Sequence, residues 1–267
     1  MVPRLGAKPA IYVTRENVHD VIQRIVDRGA SRIAQMTRGE LRAAFVHAVA
    51  AGRLPDNHLN PCDRVKVPPY RRRNRAFSER ELTDFLKWLP TAKVSASVRA
   101  AMSLELLTAA RQGEIVAMQW KHVDMARGIW RQLTSKNGQP HEVMLSTQAR
   151  RVITDRLGLS DVWVFPRPDR RGHIASKAVG IQQYAAKGSL KIVDWTVHDL
   201  RRSALTGLAR LGCSRVVQDR IANHCDKSVA AIYDRYDYEA EARNWLQRWA
   251  DHLDSLTPAM VVKFKAA

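Results

Sequence analysis

Several features that are common in proteins are missing or scarce in this sequence of 267 residues. It has no run of about 18 apolar residues, so we expect no membrane-spanning helix. The N-terminal segment has no continuous apolar stretch, which argues against a secretory signal. The three cysteines, Cys62, Cys213 and Cys225, are too far apart for a disulfide framework or a zinc motif. These absences predict a cytoplasmic protein without a metal site.

Acidic residues are also scarce compared with basic ones. Lys and Arg number 44 against 26 Asp and Glu, which gives a formal net charge of +18 and a pI near 10.4. The excess is uneven, because residues 1–76 carry 15 basic and six acidic residues and hence half of the net charge. Such a balance indicates a polyanionic partner, and nucleic acid is the leading candidate.

The apolar periodicity near the N-terminus predicts a small helical unit. Thr14 has the character of an N-cap, and apolar residues follow it at helical spacing from position 18 to position 26. A second helix is expected from Ser31 to Ala51, ended by Gly52. We therefore predict a partial helical DNA-binding domain over residues 1–70.

A stretch rich in proline and arginine follows at residues 54–77. It has no helical period and predicts a linker. The basic end of the stretch, residues 71–77, is the predicted boundary between two domains, and a solvated segment that binds nothing is the alternative interpretation. Its arginines would be costly to bury but suit contacts with phosphate groups. The predicted DNA-contacting residues there are Arg71, Arg72, Arg73 and Arg75.

Residues 78–267 predict a second domain, mainly α-helical with a small antiparallel β-sheet, so the fold class is α+β. Ser78 and Glu81 have the spacing of a capping box at the start of a helix. Two β-rich segments flank the sequence SKNGQP, whose Asn-Gly pair favours a hairpin turn. Strands are expected at residues 129–134, 141–145 and 162–165. Helices are expected at residues 96–110, 147–157, 176–186, 198–211, 214–223, 228–235 and 239–256.

Two basic residues in the first half of this domain could act on a phosphate group. Arg111 follows an apolar run, and its guanidinium suits bidentate contact with a phosphate. A structural ion pair with Glu114, three residues later, is the alternative. Lys136 lies in the predicted hairpin turn, where it could reach a leaving oxygen, although most lysines in turns are simply solvated.

The second half of the domain adds two histidines, an arginine and several tyrosines. His198 and Arg201 are three apart on a predicted helix and share a face, near a helix N-terminus that favours anions. A capping histidine and a surface arginine are the alternative. His224 is followed nine residues later by Tyr233, and Tyr236 comes one helical turn further on.

The order Arg…Lys…His-x-x-Arg…His…Tyr resembles the catalytic domain of tyrosine recombinases, the phage-type integrases. The matching residues are Arg111, Lys136, His198, Arg201, His224 and Tyr233. The end of the chain is similar to the C-terminal helix of integrases from satellite phages and genomic islands. The resemblance covers residues 77–256 well and residues 14–70 more loosely, as a core-binding unit.

Two departures from the family accompany this resemblance. Ala109 follows Thr108 where the family commonly has glycine. The chain is also expected to begin within the core-binding unit and so to lack the N-terminal domain that binds arm-type DNA sites.

The resemblance implies a site-specific DNA recombinase that integrates or excises a mobile element. Such enzymes cleave and rejoin DNA through a 3′-phosphotyrosine, without a metal, a nucleotide or another cofactor. The implied partners are double-stranded DNA, further copies of the chain in a tetramer on DNA, and DNA-bending accessory proteins. The implied location is the bacterial cytoplasm, at the nucleoid, with no membrane association.

The family resemblance also implies a role for each matching residue. Tyr233 would attack the DNA phosphorus, and the two arginines would bind the non-bridging oxygens of the transition state. Lys136 would protonate the leaving oxygen, His198 would take the tyrosine proton, and His224 would donate a hydrogen bond to the phosphate.

Three other interpretations of the sequence stay open. A type IB topoisomerase uses the same chemistry, and a catalytically inactive DNA-binding remnant would keep the same residues. A regulator is the third, with a helix-turn-helix in the region of residues 203–224. Among the tyrosines, Tyr236 is the reserve nucleophile, and Tyr238 is expected to pack at the start of the last helix.

Overall fold

The chain forms two compact units, Met1–Asn74 and Arg75–Ala267. A computed structural model describes residues 5–70, 74–133, 140–224 and 236–257. Across these ranges the chain is mostly α-helical, with a small antiparallel sheet in the second unit, which confirms the predicted fold class. No helix in these ranges is both long and apolar enough to cross a membrane.

The first unit is built on two helices, α1 (Arg15–Asp27) and α2 (Ser31–Ala50). Helix α1 begins at the predicted N-cap, where Thr14 Oγ1 accepts a hydrogen bond from the Asn17 N–H at 3.3 Å. Asn17 Oδ1 in turn accepts from the Thr14 N–H at 3.2 Å. Apolar side chains of α1, including the fully buried Val18, pack with Phe45 of α2 in one core.

The stretch that follows α2 is only partly the linker that its composition predicts. Leu54, Cys62 and Val65 are buried in the core of the first unit, and Arg38 donates a hydrogen bond to the Val65 carbonyl at 3.0 Å. Irregular chain can join a core in this way when its main-chain polar groups find partners. The arginines at residues 71–73 lie outside the described residues.

Helices account for most of the second unit. In the described ranges they are α3 (Glu79–Trp88), α4 (Ala96–Thr108), α5 (Gln112–Val116), α6 (Thr147–Thr154), α7 (Ser176–Ala186), α8 (Val197–Arg210), α9 (Arg215–Ile221) and α10 (Glu239–Ser255). The predicted capping box of α3 is present, since the Glu81 N–H donates to Ser78 Oγ at 3.2 Å and its carboxylate accepts from the Ser78 N–H at 2.9 Å. Helix α5 is an addition to the predicted helices, and the helix predicted at 228–235 lies outside the described residues.

The sheet has the antiparallel order β1 (Val123–Asp124), β2 (Ile129–Gln132) and β3 (His141–Met144), with Gln132 opposite His141. Residues 134–139, which hold most of the predicted hairpin turn, lie outside the described residues. The prediction of a strand at 162–165 was wrong, because that segment forms only an isolated bridge. Two of its N–H groups donate to Ser160 Oγ at 3.2 Å, and this local turn competes with a strand ladder.

Helix α4 runs through the core of the second unit and packs against α6, α8 and α10. Its contact with α10 includes Trp249, a fully buried ring whose Nε1 donates to the Leu106 carbonyl at 2.8 Å. Because α4 ends at Thr108 beside α8, residues far apart in sequence meet at its C-terminal end.

Candidate active site

Arg111 lies in the bend between α4 and α5. Helix α4 stops at Ala109, whose φ of 53° is left-handed, and this turn directs the chain into α5 with Arg111 as its N-cap. Glu114 accepts from the Arg111 main-chain N–H at 3.0 Å and from its Nη1 at 2.9 Å. The Arg111 Nη2 also donates to the Asn223 carbonyl at 3.2 Å, so the Glu114 pair is only part of its environment.

Arg201 is buried in α8, which excludes the surface-charge alternative for this residue. Its Nη1 donates to the carbonyl of Ala109, and its Nη2 donates to the carbonyl of Ala222 at 2.5 Å. Burial, together with the charge of Arg111, lowers the pKa of Arg201 to about 10, while Glu114 acts in the opposite direction. The guanidinium therefore remains charged at neutral pH.

His198 lies in the first turn of α8. Thr196 is the N-cap of that helix, so His198 is not a capping residue. The buried Asp199 accepts hydrogen bonds from the Thr196 N–H at 2.9 Å and from Arg202 Nη1 at 3.0 Å. Loss of water around the His198 ring lowers its pKa, and the arginines at positions 202, 201 and 111 act in the same direction. The lowered pKa favours the neutral imidazole at physiological pH.

His224 follows α9 directly and is exposed at the surface. Its main-chain N–H donates to the Asp219 carbonyl at 2.9 Å, and its Nδ1 lies 3.1 Å from Asp219 Oδ1. Arg215 donates to the other carboxylate oxygen of Asp219 at 2.9 Å. Because a carboxylate favours the protonated nitrogen, Nδ1 carries a proton and Nε2 faces away from Asp219.

Four of the six residues predicted for catalysis therefore lie together in the second unit, around the turn that precedes His224. Arg111 and Arg201 reach successive carbonyls just before His224, and both arginines lower the pKa of His198. Lys136 and Tyr233, predicted as proton donor and nucleophile, lie outside the described residues.

The two remaining tyrosines near the end of the chain lie within the described residues. Tyr236 is exposed, and its hydroxyl donates to Glu241 Oε2 at 3.4 Å. The charge of Glu241 raises the pKa of Tyr236, which makes that hydroxyl a poorer nucleophile than an ordinary tyrosine. Tyr238 is the residue before α10 and packs against the core, as predicted.

Arg75, a predicted DNA contact, is half-buried in this structure. It forms an ion pair with Glu81, and its guanidinium lies 5.6 Å from the centre of the Phe77 ring. These contacts hold it against α3.

Sequence reasoning missed two residues of this region, Glu105 and His141. Glu105 is fully buried in α4, and neither carboxyl oxygen has a hydrogen-bond partner in the described part of the chain. Burial raises the pKa of Glu105 well above its usual range, although the charge of Arg201 opposes this. An acid inside the apolar run MSLELL was the available signal. His141 begins β3, and its position directly after the predicted hairpin turn was the corresponding signal.

We expect Glu105→Gln to raise the free energy of unfolding above that of the wild type, by an amount that grows as the pH rises. A carboxyl with a raised folded-state pKa takes up a proton on folding, so its contribution to stability falls above the unfolded pKa. The advantage of Glu105→Gln should therefore grow by about 1.4 kcal/mol per pH unit from roughly pH 4.5 up to the raised folded-state pKa, and stay constant above it. Urea unfolding at several pH values measures this difference.

Glu142→Gln is the matched control for this experiment. Glu142 is exposed on β3 and pairs with Arg131 at 2.8 Å, so this variant makes the same change of residue type without a buried carboxyl. If the stability of Glu105→Gln depended on pH no more steeply than that of Glu142→Gln, Glu105 would be ionised in the folded protein.

Comparison with known proteins places these observations in a family. The model of the Phage integrase family matches residues 75–240. The prophage integrase IntA of Escherichia coli (strain K12) is 22% identical over 268 residues, which is 97% of this chain and 64% of that protein. The integrase of Shigella phage Sf6 is 28% identical over 265 residues, 95% of this chain and 67% of that protein. The chain thus spans about two thirds of the length of these relatives.

Solved structures show the same fold at low sequence identity. A dimer of lambda integrase (75–356) bound to a COC′ core site has a TM-score of 0.69 and 18% identity, covering 84% of this chain and 83% of that chain. The Tn1549 transposon integrase (82–397) in complex with circular intermediate DNA has a TM-score of 0.63 and 16% identity, covering 90% of this chain and 87% of that chain. Together with the match over residues 75–240, the order of site residues and the arrangement around α4, α8 and α9, this establishes that the chain belongs to the phage integrase family of tyrosine recombinases.

Proposed function

We propose that this chain is a site-specific DNA recombinase that cleaves and rejoins DNA through a 3′-phosphotyrosine intermediate. The observation that carries the proposal is the convergence of Arg111, Arg201, His198 and the His224 turn within a phage integrase domain. Integrases of similar structure have been solved with a core site, with a Holliday junction and with circular intermediate DNA, which supports DNA as the substrate.

The reaction exchanges one phosphate ester for another. The Tyr233 hydroxyl oxygen forms a bond to the DNA phosphorus, the bond to the 5′ oxygen breaks, and the leaving 5′ oxygen takes a proton from Lys136. A 5′-hydroxyl of a second strand then reverses these steps and releases the tyrosine. Because the covalent intermediate keeps the ester, rejoining requires no nucleotide.

The two arginines supply the electrostatic stabilisation of the transition state. Arg111 and Arg201 are close enough for like-charge repulsion to lower the Arg201 pKa. The phosphorane-like dianion of the transition state, placed between them, would relieve that repulsion, and hydrogen bonds to main-chain carbonyls already hold both guanidinium groups in place. Donors fixed before the reaction avoid the cost of reorganisation, which is why such groups often contribute most to catalysis.

The two histidines have separate roles, one as a base and the other as a ligand of the phosphate. The lowered pKa of His198 keeps the ring neutral at physiological pH, as a base towards the tyrosine hydroxyl requires. His224, held at Nδ1 by Asp219, would donate a hydrogen bond from Nε2 to a non-bridging oxygen.

Binding of DNA would depend on the positive charge of the chain. The net charge of +18 suits a duplex, and we assign backbone contacts to Arg71, Arg72 and Arg73, with Arg75 as a further contact. Recombination would require further copies of the chain in a tetramer on two duplexes, assisted by DNA-bending proteins, at the bacterial nucleoid. A tetramer of lambda integrase on a Holliday junction has the same fold, with a TM-score of 0.67.

Trapping of a covalent complex tests the proposal. The substrate is a pool of duplexes of randomised sequence, each nicked so that cleavage releases a short strand and prevents rejoining. We expect the wild-type chain to form an SDS-resistant adduct in the presence of EDTA, and sequencing of the trapped DNA to reveal the core site. Tyr233→Phe should form no adduct and should bind the same DNA with unchanged affinity, because only the attacking oxygen is lost.

Three outcomes would contradict the proposal. An adduct formed by Tyr233→Phe would assign the nucleophile elsewhere, and Tyr236→Phe is the matched control. No adduct with the wild type would indicate an inactive remnant. Relaxation of supercoiled DNA without strand exchange between two sites would instead favour a type IB topoisomerase.

A further inference from the structure

Two consecutive residues near the end of α9, Asp219 and Arg220, bond the chain on both sides of the predicted nucleophile. On the side before Tyr233, Asp219 contacts His224 twice, through its carbonyl at 2.9 Å and through its carboxylate at 3.1 Å. On the side after Tyr233, Arg220 Nε donates a hydrogen bond to the Asp237 carbonyl at 3.0 Å. The last turn of α9 therefore holds two points of the chain that are 13 positions apart.

Asp237 lies at a corner where the chain turns into α10. Its carboxylate accepts a hydrogen bond from the Glu239 N–H at 3.1 Å, in the first turn of that helix. Tyr238, between them, has a left-handed φ of 54° and packs against the core. The Asp237 side chain thus bonds the helix that follows, and Arg220 bonds the main-chain carbonyl at the corner itself.

Of the two anchored points, Asp237 restrains the nucleophile more closely. Tyr233 comes four positions before Asp237 and nine positions after His224. A fully extended chain covers at most about 14 Å over four residues and about 30 Å over nine. The direction in which the chain leaves Asp237 therefore limits where Tyr233 can lie, whatever the conformation of the residues between them.

We propose that Arg220 is a positioning residue for strand cleavage, which fixes the Asp237 corner and so directs Tyr233 towards the phosphate between the two site arginines. The inference rests on the recombinase function proposed above. Arg220 does not itself touch DNA in this scheme, but acts through the Asp237 carbonyl. Without Arg220 the chain would stay attached, because Tyr238 packs against the core, but its direction would no longer be fixed. The rate of attack depends steeply on such orientation.

The test compares variants that keep either the donor or the charge of Arg220. The donating atom is Nε, which is attached to Cδ, and the amide nitrogen of a glutamine is attached at the same place, whereas a lysine ammonium is one atom further out. Arg220→Leu should slow adduct formation roughly tenfold at saturating protein, because a hydrogen bond from a charged donor is lost. Arg220→Gln should recover most of that rate, and Arg220→Lys less of it. The dissociation constant for DNA should stay within about twofold of wild type at physiological salt.

Arg210→Leu is the matched control. Arg210 is exposed at the end of α8, so this variant removes the same charge from the end of another helix, and its adduct formation should equal that of the wild type. A wild-type rate for Arg220→Leu would overturn the proposal. Recovery by lysine but not by glutamine, with weaker binding of DNA, would overturn it as well, because that pattern belongs to a direct phosphate contact.

Amide hydrogen exchange tests the contact without any chemistry on DNA. The Glu239 N–H, which bonds the Asp237 carboxylate, should exchange faster in Arg220→Leu than in the wild type, and no faster in Arg210→Leu. Urea unfolding should give the same global stability for both variants, which separates positioning from a general loss of structure. This result stands even if the wild type forms no adduct, in which case the recombinase proposal fails and the Arg220 contact survives. Unchanged exchange in Arg220→Leu would remove the structural basis of the inference.

Discussion

Replacing Arg201 with lysine is expected to slow covalent attachment to DNA by at least about 10²-fold. The guanidinium of Arg201 bonds two carbonyls at once, those of Ala109 and Ala222, and these belong to separate parts of the site. A lysine ammonium keeps the charge but cannot reproduce the planar fork. One buried carbonyl would lose its partner, so the free energy of unfolding should also fall by about 1–3 kcal/mol. Single-turnover adduct formation and urea unfolding measure the two effects.

Arg202→Lys is the matched control, one position along the same helix. Arg202 is partly exposed and pairs with the buried Asp199 at 3.0 Å, a contact that a lysine can replace as a point charge. We expect adduct formation within about threefold of wild type, since the pair lies partly in solvent. If the two lysine variants were equally active, the bidentate contact of Arg201 would not matter for catalysis.

Replacing Gly207 with alanine is expected to destabilise the protein by about 3 kcal/mol, because overpacking of a tight core is costly. Gly207 lies in α8 against the ring of Trp249, and an added Cβ would fall closer than 3.0 Å to three ring carbons, Cε3, Cζ3 and Cη2. The ring is fully buried, and its Nε1 donates to the Leu106 carbonyl at 2.8 Å, so it cannot move without losing that bond. Thermal and urea unfolding measure the change.

Gly180→Ala, in the same unit, is expected to have the opposite effect on stability. Gly180 lies within α7, and an added Cβ would meet no atom within 4 Å. Alanine should therefore stabilise the helix by about 0.5–1 kcal/mol, through the lower entropy of its unfolded chain. A Gly207→Ala protein as stable as the wild type would show that Trp249 can be accommodated elsewhere.

The helices of this protein follow closely from local sequence patterns. Caps at Thr14 and Ser78 were visible as residue types at fixed spacing, because a cap bonds only its own first turn. The prediction of a strand at 162–165 was wrong, because Val-Trp-Val-Phe has strand propensity but pairs with residues 118–120 only through an isolated bridge. Ser160 accepts the N–H groups of Val162 and Trp163.

The order of six polar residues, and with it the family and the proposed chemistry, was determined by the sequence alone. For the four of them that the structure describes, the tertiary structure decided which side chains are buried and which groups they bond. Arg201 and Arg202 are indistinguishable as residue types, yet only Arg201 reaches the Ala109 carbonyl, 92 positions away. The raised pKa of Glu105 and the lowered pKa of His141 arise in the same way, from burial and from neighbours that the fold alone brings near. Local periodicity carries no information about such pairs, because a hydrogen bond between distant residues depends on how the helices pack rather than on the spacing along any one of them.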